Sequence, residues 1–174
     1  MSNEHSHRWL PFALFICCAL ALSAGLGLAE TRAEAEIEQA LIPVADAYIA
    51  SGSPSVNMGT VPEFRVGREE PLGTQRALLR FDLSGLPPGS SIHEAHLECY
   101  LLEHHGPSSV NVGIFAVTQA WSEIGLTWDN QPETGDFQTF RSIGTSNRYY
   151  SWDLTPLVQQ WYAHPEDNHG VELQ

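Results

Sequence analysis

The stretch Arg-Ala-Leu-Leu-Arg-Phe-Asp-Leu-Ser-Gly-Leu-Pro, residues 76–87, contains both a β-strand and the signal that ends it. Its large apolar residues are interleaved with Arg80 and Asp82, as in a strand of a folded sheet. Ser84-Gly85 and Pro87-Pro88-Gly89 then prevent a strand or a helix from continuing. The stretch therefore predicts a strand that ends in a tight turn.

The next segment, residues 93–103, alternates between apolar and polar side chains. Its inward positions are Ala95, Leu97, Cys99 and Leu101. Because successive strand residues point to opposite faces of a sheet, these four side chains share one face. The segment predicts a half-buried antiparallel strand with Cys99 in the core.

Short apolar runs bounded by turn residues continue along the chain, at the spacing of roughly 8 to 12 residues that is typical of a β-sandwich. The further candidate strands are residues 45–49, 63–66, 111–117 and 149–154. Thr155-Pro156 is the exception, because Thr can cap a helix, Pro suits its first position, and apolar residues then recur at helical spacing. We predict an all-β fold, an antiparallel β-sandwich of jelly-roll type with one short helix.

Residues 1–29 have the features of a secretory signal peptide. A polar start carrying Arg8 precedes an apolar run, and Gly27-Leu28-Ala29 supplies small residues at the positions that a signal peptidase reads. The alternative is a membrane anchor, but Pro11 and the glycine-rich end disfavour a stable span. We expect a protein that is secreted or held at the cell surface.

The remaining chain divides into a linker and one domain. Residues 30–41 are rich in Ala and Glu, so we expect a solvated linker there and a folded domain over residues 42–174. Removal of the signal peptide leaves Cys99 as the single cysteine, which excludes an intramolecular disulfide.

The charge of the chain excludes two classes of partner. The formal net charge is −13, and every basic residue other than histidine is an arginine. Nucleic acid and anionic lipid are bound through basic clusters, which such a surface lacks. We expect neither nucleic acid nor membrane lipid as a partner.

Several motifs follow one another in a fixed order along the domain. They are residues 45–49 (Ala-Asp-Ala-Tyr-Ile), 53–60, 64–67 (Phe-Arg-Val-Gly), 76–87, 121–123 (Trp-Ser-Glu), 126–132, 152–155 (Trp-Asp-Leu-Thr), 157–161 and 168–171 (Asn-His-Gly-Val). In this order they resemble the secreted DNRLRE domain, classed as carbohydrate-binding module family 96 and similar to the repeat of archaeal disaggregatase-related proteins. The resemblance covers residues 44–173. It implies a polysaccharide ligand and places Trp121, Trp128, Trp152 and Trp161 in core positions.

Two features depart from the family pattern. Met58 stands where the family has an aromatic residue, which would alter a ligand contact there. The chain also stops at Gln174, where the family continues for another strand or two. We therefore expect a C-terminally truncated domain with an unpaired strand edge at residues 171–173, open to neighbouring modules.

No set of residues has the spacing of a catalytic site. His104 and His105 are adjacent, so on a strand they point to opposite faces and are poorly placed to bind one metal ion. Glu123 and Asp129 could be read as a glycosidase pair, but they lie in a turn-rich segment that the family uses for structure. We expect no enzymatic activity and no catalytic residue.

Five residues are candidates for ligand binding. They are Arg65, Arg68, Arg76, Arg80 and Tyr48. Guanidinium groups bind carboxylates in a bidentate way, and the family resemblance implies an acidic polysaccharide such as alginate. The alternative for Arg80 is a cross-strand pair with Asp82 or Glu98.

A structural calcium ion is the candidate cofactor. Asp46, Asn57 and the carbonyl groups of the 51–60 loop are hard oxygen ligands of the kind that calcium prefers. The alternative is that Asn57 forms a local turn and Asp46 caps a strand end, with no ion bound.

The sequence predicts a secreted, non-catalytic module that binds an acidic polysaccharide. Two alternatives stay open. One is a structural repeat of a surface-layer, matrix or adhesin protein, in which modules pair with each other. The other is the accessory domain of a truncated polysaccharide lyase or glycoside hydrolase.

Overall fold

The computed structural model describes residues 5–10, 14–20 and 35–174, with side chains from Ile37 onward. In this part of the chain, antiparallel strands are interrupted by one α-helix, α1 (Thr155–Ala163). The strands are β1 (His5–Leu10), β2 (Leu14–Leu20), β3 (Ala35–Leu41), β4 (Ala45–Ala50), β5 (Phe64–Glu69), β6 (Gly73–Arg80), β7 (Ser91–His105), β8 (Ser109–Val117), β9 (Thr134–Gly144), β10 (Tyr149–Asp153) and β11 (Val171–Leu173). The predicted antiparallel β fold with a short helix is confirmed.

The strands form two groups around one core. In the first group, β4, β6, β11, β8 and β9 lie side by side in that order. In the second, β7 pairs with β10 along one edge and with β1 and β2 along the other. Leu79 of β6, Leu97 of β7 and Trp152 of β10 all pack in the same main core. This arrangement agrees with the predicted sandwich.

The first group of strands is covered on its outer face as well. Ala77 and Leu79 of β6 face the main core, whereas Leu78 points the other way. The buried residues of this outer cluster are Ala47, Ile49, Leu78, Val117 and Leu126. Trp121 and Trp128 pack against the cluster and are half-buried, so these two lie over the sheet, while Trp152 and Trp161 are in the main core.

The last strand lies inside the first group. Val171 pairs with Leu79 of β6 on one side and with Ala116 of β8 on the other. The expectation of an unpaired edge at residues 171–173 is therefore wrong, because after α1 the chain turns back and inserts β11 between two strands.

The N-terminal region differs from the expected linker. All of β3, within residues 30–41, pairs with β2, and Leu41 packs against the main core. The Ala- and Glu-rich composition indicated a linker, but the segment forms a strand in which Ile37, Gln39 and Leu41 share one face.

The predicted signal peptide lies largely outside the described residues, including its cleavage motif at residues 27–29. Its described parts are β1, which pairs with β5 and β7, and β2, which pairs with β7 and β3. Export with cleavage stays a prediction. In a cleaved protein β7 would keep its pairing with β10.

The alternating strand is confirmed, because Ala95, Leu97, Cys99 and Leu101 are all fully buried. Burial raises the pKa of the Cys99 thiol far above its ordinary value, so this cysteine is a core residue. In the described parts of the chain, no helix is long and apolar enough to span a membrane.

Candidate functional site

Two of the four predicted arginines are paired with carboxylates on their own strand or the turn after it. Arg65 Nη1 lies 3.4 Å from Glu69 Oε2, and Arg68 Nη2 lies 3.3 Å from Glu70 Oε1. The Arg68–Glu70 pair is well exposed to solvent. Arg76 and Arg80 of β6 instead lie over the rings of Trp128 and Trp121, so the four guanidinium groups have different partners.

Arg76 contacts three residues from other parts of the chain. Its Nη1 donates to Gln131 Oε1 at 3.2 Å and to Glu172 Oε1 at 3.4 Å, and its guanidinium carbon lies 5.2 Å from the centre of the Trp128 ring. Burial raises the pKa of Glu172 to about 6, and the charge of Arg76 opposes that shift. Arg76 therefore has a structural partner on each side.

Arg80 is the exception among the four. It forms no ion pair with any side chain from Ile37 onward, so the alternative pairing with Asp82 or Glu98 does not occur. Its guanidinium carbon lies 5.9 Å from the centre of the Trp121 ring. Its Nε is buried without a hydrogen-bond acceptor among the described residues.

Arg80 lines a cleft of about 760 Å³ at the end of β6. One wall is formed by residues within the 80–89 segment, which includes the turn after the strand, and the other by the end of α1, Pro165 and Asn168. Apolar and aromatic groups such as Leu83, Leu86 and Tyr162 make up much of the lining. This combination of a concave apolar wall with a few polar groups is typical of a ligand site.

The polar groups of the cleft offer both a donor and acceptors. Asn168 Nδ2 donates to the Phe81 carbonyl oxygen at 2.9 Å, which leaves Asn168 Oδ1 buried without a donor among the described residues. Asp82 accepts from the Ser84 N–H at 2.9 Å, and this bond lowers the pKa of the carboxyl, so Asp82 is ionised at neutral pH. Arg80 supplies the donor.

Two local features fix the walls of the cleft. Tyr162 of α1 donates its hydroxyl to the Pro87 carbonyl oxygen at 2.6 Å and accepts from the Ser90 N–H at 3.1 Å, which ties the turn to the helix. Gly170 has φ +91°, and a Cβ there would lie 2.2 Å from the Leu79 carbonyl oxygen. Only glycine allows this approach, which brings Asn168 to the end of β6.

The prediction that Tyr48 contacts ligand needs correction, because its side chain is only 5% exposed and packs in the main core. β4 is buried on both faces. Ala47 and Ile49 face the outer cluster, so Tyr48 must face inward.

Asn57 fastens two loops together. Its Nδ2 donates to the carbonyl oxygens of Glu123 and Leu126, both at 2.7 Å, and its Oδ1 accepts from the Gly59 N–H at 3.3 Å. This geometry matches the alternative in which Asn57 stabilises a turn through its own side chain.

Asp46 lies near the same place. Its N–H donates to Glu123 Oε2 at 3.2 Å, and burial, followed by the Glu123 charge, raises the pKa of the Asp46 carboxyl. Among the residues that the structure describes, no group of three or more His, Cys, Asp and Glu side chains could hold a metal ion. A calcium ion at Asp46 and Asn57 stays a prediction.

Sequence reasoning missed the cleft residue Asn168 and an aromatic surface on β9. Asn168 is part of a quoted family motif, but its place depends on the turn at Gly170. Phe137 and Phe140 of β9 are 52% and 57% exposed, and Phe137 lies 5.5 Å from Phe115 between ring centres. No periodic pattern distinguished this strand in the sequence.

Comparison with known protein families matches residues 37–173 to carbohydrate-binding module family 96. The match begins in β3 and ends at the last residue of β11. A comparison with curated proteins gives no match.

Proposed function

Because the chain belongs to carbohydrate-binding module family 96, we propose that it binds a polysaccharide in the cleft at Arg80 and Asn168 and catalyses no reaction. One observation carries the choice of site: Arg80 Nε and Asn168 Oδ1 are buried, without partners among the described residues, and both residues line the same cleft. A buried polar atom without a partner costs about 1 to 3 kcal/mol. A sugar hydroxyl can accept from the first atom and donate to the second.

The finer proposal is an acidic polysaccharide such as alginate. Of the four predicted arginines, Arg65, Arg68 and Arg76 each have a carboxylate partner, so Arg80 is the one of the four whose charge is available to a sugar carboxylate. A guanidinium binds a carboxylate through two parallel hydrogen bonds, which gives both strength and orientation. Asp82 would accept from hydroxyl groups of the same ligand. The cleft volume lies within the range of known small-molecule sites, about 300 to 1,000 Å³.

We also propose where the module meets its polysaccharide and which ion it binds. Residues 1–29 would direct export, so the module would meet its polysaccharide outside the cell or at the cell surface. Calcium would bind at Asp46, with Glu123 as a second carboxylate, and would hold the two loops that Asn57 already connects.

The experiment is affinity electrophoresis through gels that contain alginate, pectate or a neutral glucan, with and without a calcium chelator. We expect the wild-type protein to be retarded most in alginate and least in the glucan. Arg80→Gln should abolish the retardation. Arg68→Gln removes a guanidinium that is exposed and already paired with Glu70, so this matched control should migrate like the wild type.

Folding must be checked, because Arg80 also stacks on Trp121. Arg80→Lys retains the charge and the apolar stem but loses the Nε donor and the bidentate fork, so it should weaken retardation in a folded protein. Equal mobility of the wild type in every gel, or retardation in alginate that folded Arg80→Gln retains, would contradict the proposal.

A second candidate is the structural repeat, which the edge strand β9 favours. β9 ends the order of the sheet, spans Thr134–Gly144 and exposes Phe137 and Phe140. Such an edge can pair with a strand of another module. Tandem copies that assemble into filaments, with no retardation in any gel, would favour this function over binding.

A further inference from the structure

A second hollow, of about 370 Å³, adjoins the cleft at Trp161, which lines both. The hollow is lined by the end of β8, the start of β9, α1, Asp167 and His169. Consecutive residues line the two spaces, because Asn168 lies in the cleft while Asp167 and His169 lie in the hollow. The two spaces therefore lie next to each other, with Trp161 in the lining of both.

Polar side chains make up much of the lining of the hollow, and Thr118 and Gln138 among them donate to backbone carbonyl oxygens. The polar ones are Thr118, Asp136, Gln138, Gln160, Asp167 and His169. In the described part of the chain, the side chains of Asp136, Gln160 and Asp167 make no hydrogen bond or ion pair. They are free to bind hydroxyl groups, with the amide of Gln160 as a donor and the carboxylates as acceptors.

The two spaces differ in charge. The cleft is lined by the Arg80 guanidinium and the Asp82 carboxylate, which carry opposite charges, whereas two carboxylates and no arginine line the hollow. A sugar carboxylate would be attracted to Arg80 in the first space and repelled from the second space, because like charges at close range cost free energy. A neutral sugar unit would bind the carboxylates of the hollow through its hydroxyl groups.

We propose that the hollow is a second sugar subsite for a neutral unit, so that the preferred ligand is a polysaccharide in which uronate and neutral units alternate. This inference rests on the proposed function, because it places the uronate unit at Arg80. It refines the ligand class from a polymer of uronate units alone to a mixed polymer.

The test is isothermal titration calorimetry with two oligosaccharides of equal length. Hyaluronan fragments alternate a uronate with a neutral amino sugar, and alginate fragments contain uronate units alone. The wild-type protein should bind the hyaluronan fragment more tightly. Gln160→Ala should weaken that binding about two- to tenfold, as expected for one lost hydrogen bond, and should leave alginate binding unchanged.

Asp167→Asn tests the charge of the hollow. It retains the size of the side chain and removes one negative charge, so it should strengthen the binding of the alginate fragment. The matched control is Glu166→Gln, a similar change at an exposed neighbour that lines neither space, and it should change neither affinity.

The outcomes separate the two proposals. If the wild type binds alginate at least as tightly as hyaluronan, or if Gln160→Ala alters neither affinity, the second subsite is refuted while the cleft remains supported. If neither fragment binds, the proposed function fails together with this inference.

Discussion

Asn168 Nδ2 donates to the carbonyl oxygen of Phe81 at 2.9 Å, which joins residues 87 positions apart in the sequence. The bond fastens the turn before β11 to the end of β6, next to Arg80. It uses the donor of the Asn168 amide and leaves its oxygen without a donor among the described residues. The fold thus places in one cleft an acceptor and an arginine donor that have no hydrogen-bond partner in the described part of the chain.

Replacement of Leu79 tests the packing of the main core. Its side chain has no exposed surface and packs in the main core next to Val171 of the paired strand β11, so Leu79→Ala should lower the free energy of unfolding by about 2 to 5 kcal/mol. Ile42→Ala provides the control, because Ile42 is 78% exposed and its loss should change stability by about 0.5 kcal/mol or less. Chemical denaturation measures both. An unchanged denaturation midpoint for Leu79→Ala would mean that the Leu79 side chain does not point into the main core.

Gly170 tests the turn that positions the cleft. Gly170→Ala adds a Cβ at a positive φ and against the Leu79 carbonyl oxygen. Gly89→Ala is the matched control, because Gly89 has φ +79° but open space around the added Cβ. Gly89→Ala should lower the free energy of unfolding by about 1 to 2 kcal/mol, because of the left-handed backbone alone. Gly170→Ala should lower it by more. Equal losses in thermal or chemical denaturation would show that the close approach to β6 does not constrain the turn.

The sequence predicted those elements whose burial is regular. Ala95 to Leu101 alternate in burial as the pattern indicated, and the predicted helix is present with Pro156 in its first turn. The predicted cap is wrong, because Leu154 is the N-cap residue and Thr155 is already part of the helix. β9 escaped prediction because only Ile143 of its residues is fully covered, so its apolar side chains show no regular period.

The site was only partly predictable for the same kind of reason. Arg80 was a candidate because of its residue type, but its lack of a carboxylate partner depends on how the strands pair. The place of Asn168 depends on a long-range contact. Tyr48 was misjudged because the outer cluster buries β4 on its second face, and a strand covered on both faces shows no polar side in its sequence.

Glu172 makes stability depend on pH. Its pKa is about 6 in the folded protein and 4.5 in its ordinary state, so the folded protein binds the proton more tightly. The free energy of unfolding should therefore increase as the pH falls from above 6 towards 4.5, by about 2 kcal/mol from this group. Glu172→Gln cannot titrate and should lack that part of the increase. Denaturation at about pH 7.5 and pH 5 measures the difference, and the same pH response in both proteins would contradict it.

The predicted signal peptide can be tested by following export of the protein. With its native N-terminus, the protein should appear outside the producing cell with a chain that starts near Glu30, as Gly27-Leu28-Ala29 predicts. N-terminal sequencing or intact mass spectrometry of the exported protein gives the start. Recovery of the uncleaved chain in the membrane fraction would refute the signal peptide and favour an anchor.

The most direct test of the cleft is an NMR titration of ¹⁵N-labelled protein with an alginate trisaccharide. We expect saturable shifts of the Asn168 side-chain amide, the Arg80 Nε–H and the Trp121 indole N–H, all with one dissociation constant. Saturable shifts confined to Arg65 and Arg68 on β5, or to Phe137 and Phe140 on β9, with the Asn168 and Arg80 signals unmoved, would contradict it.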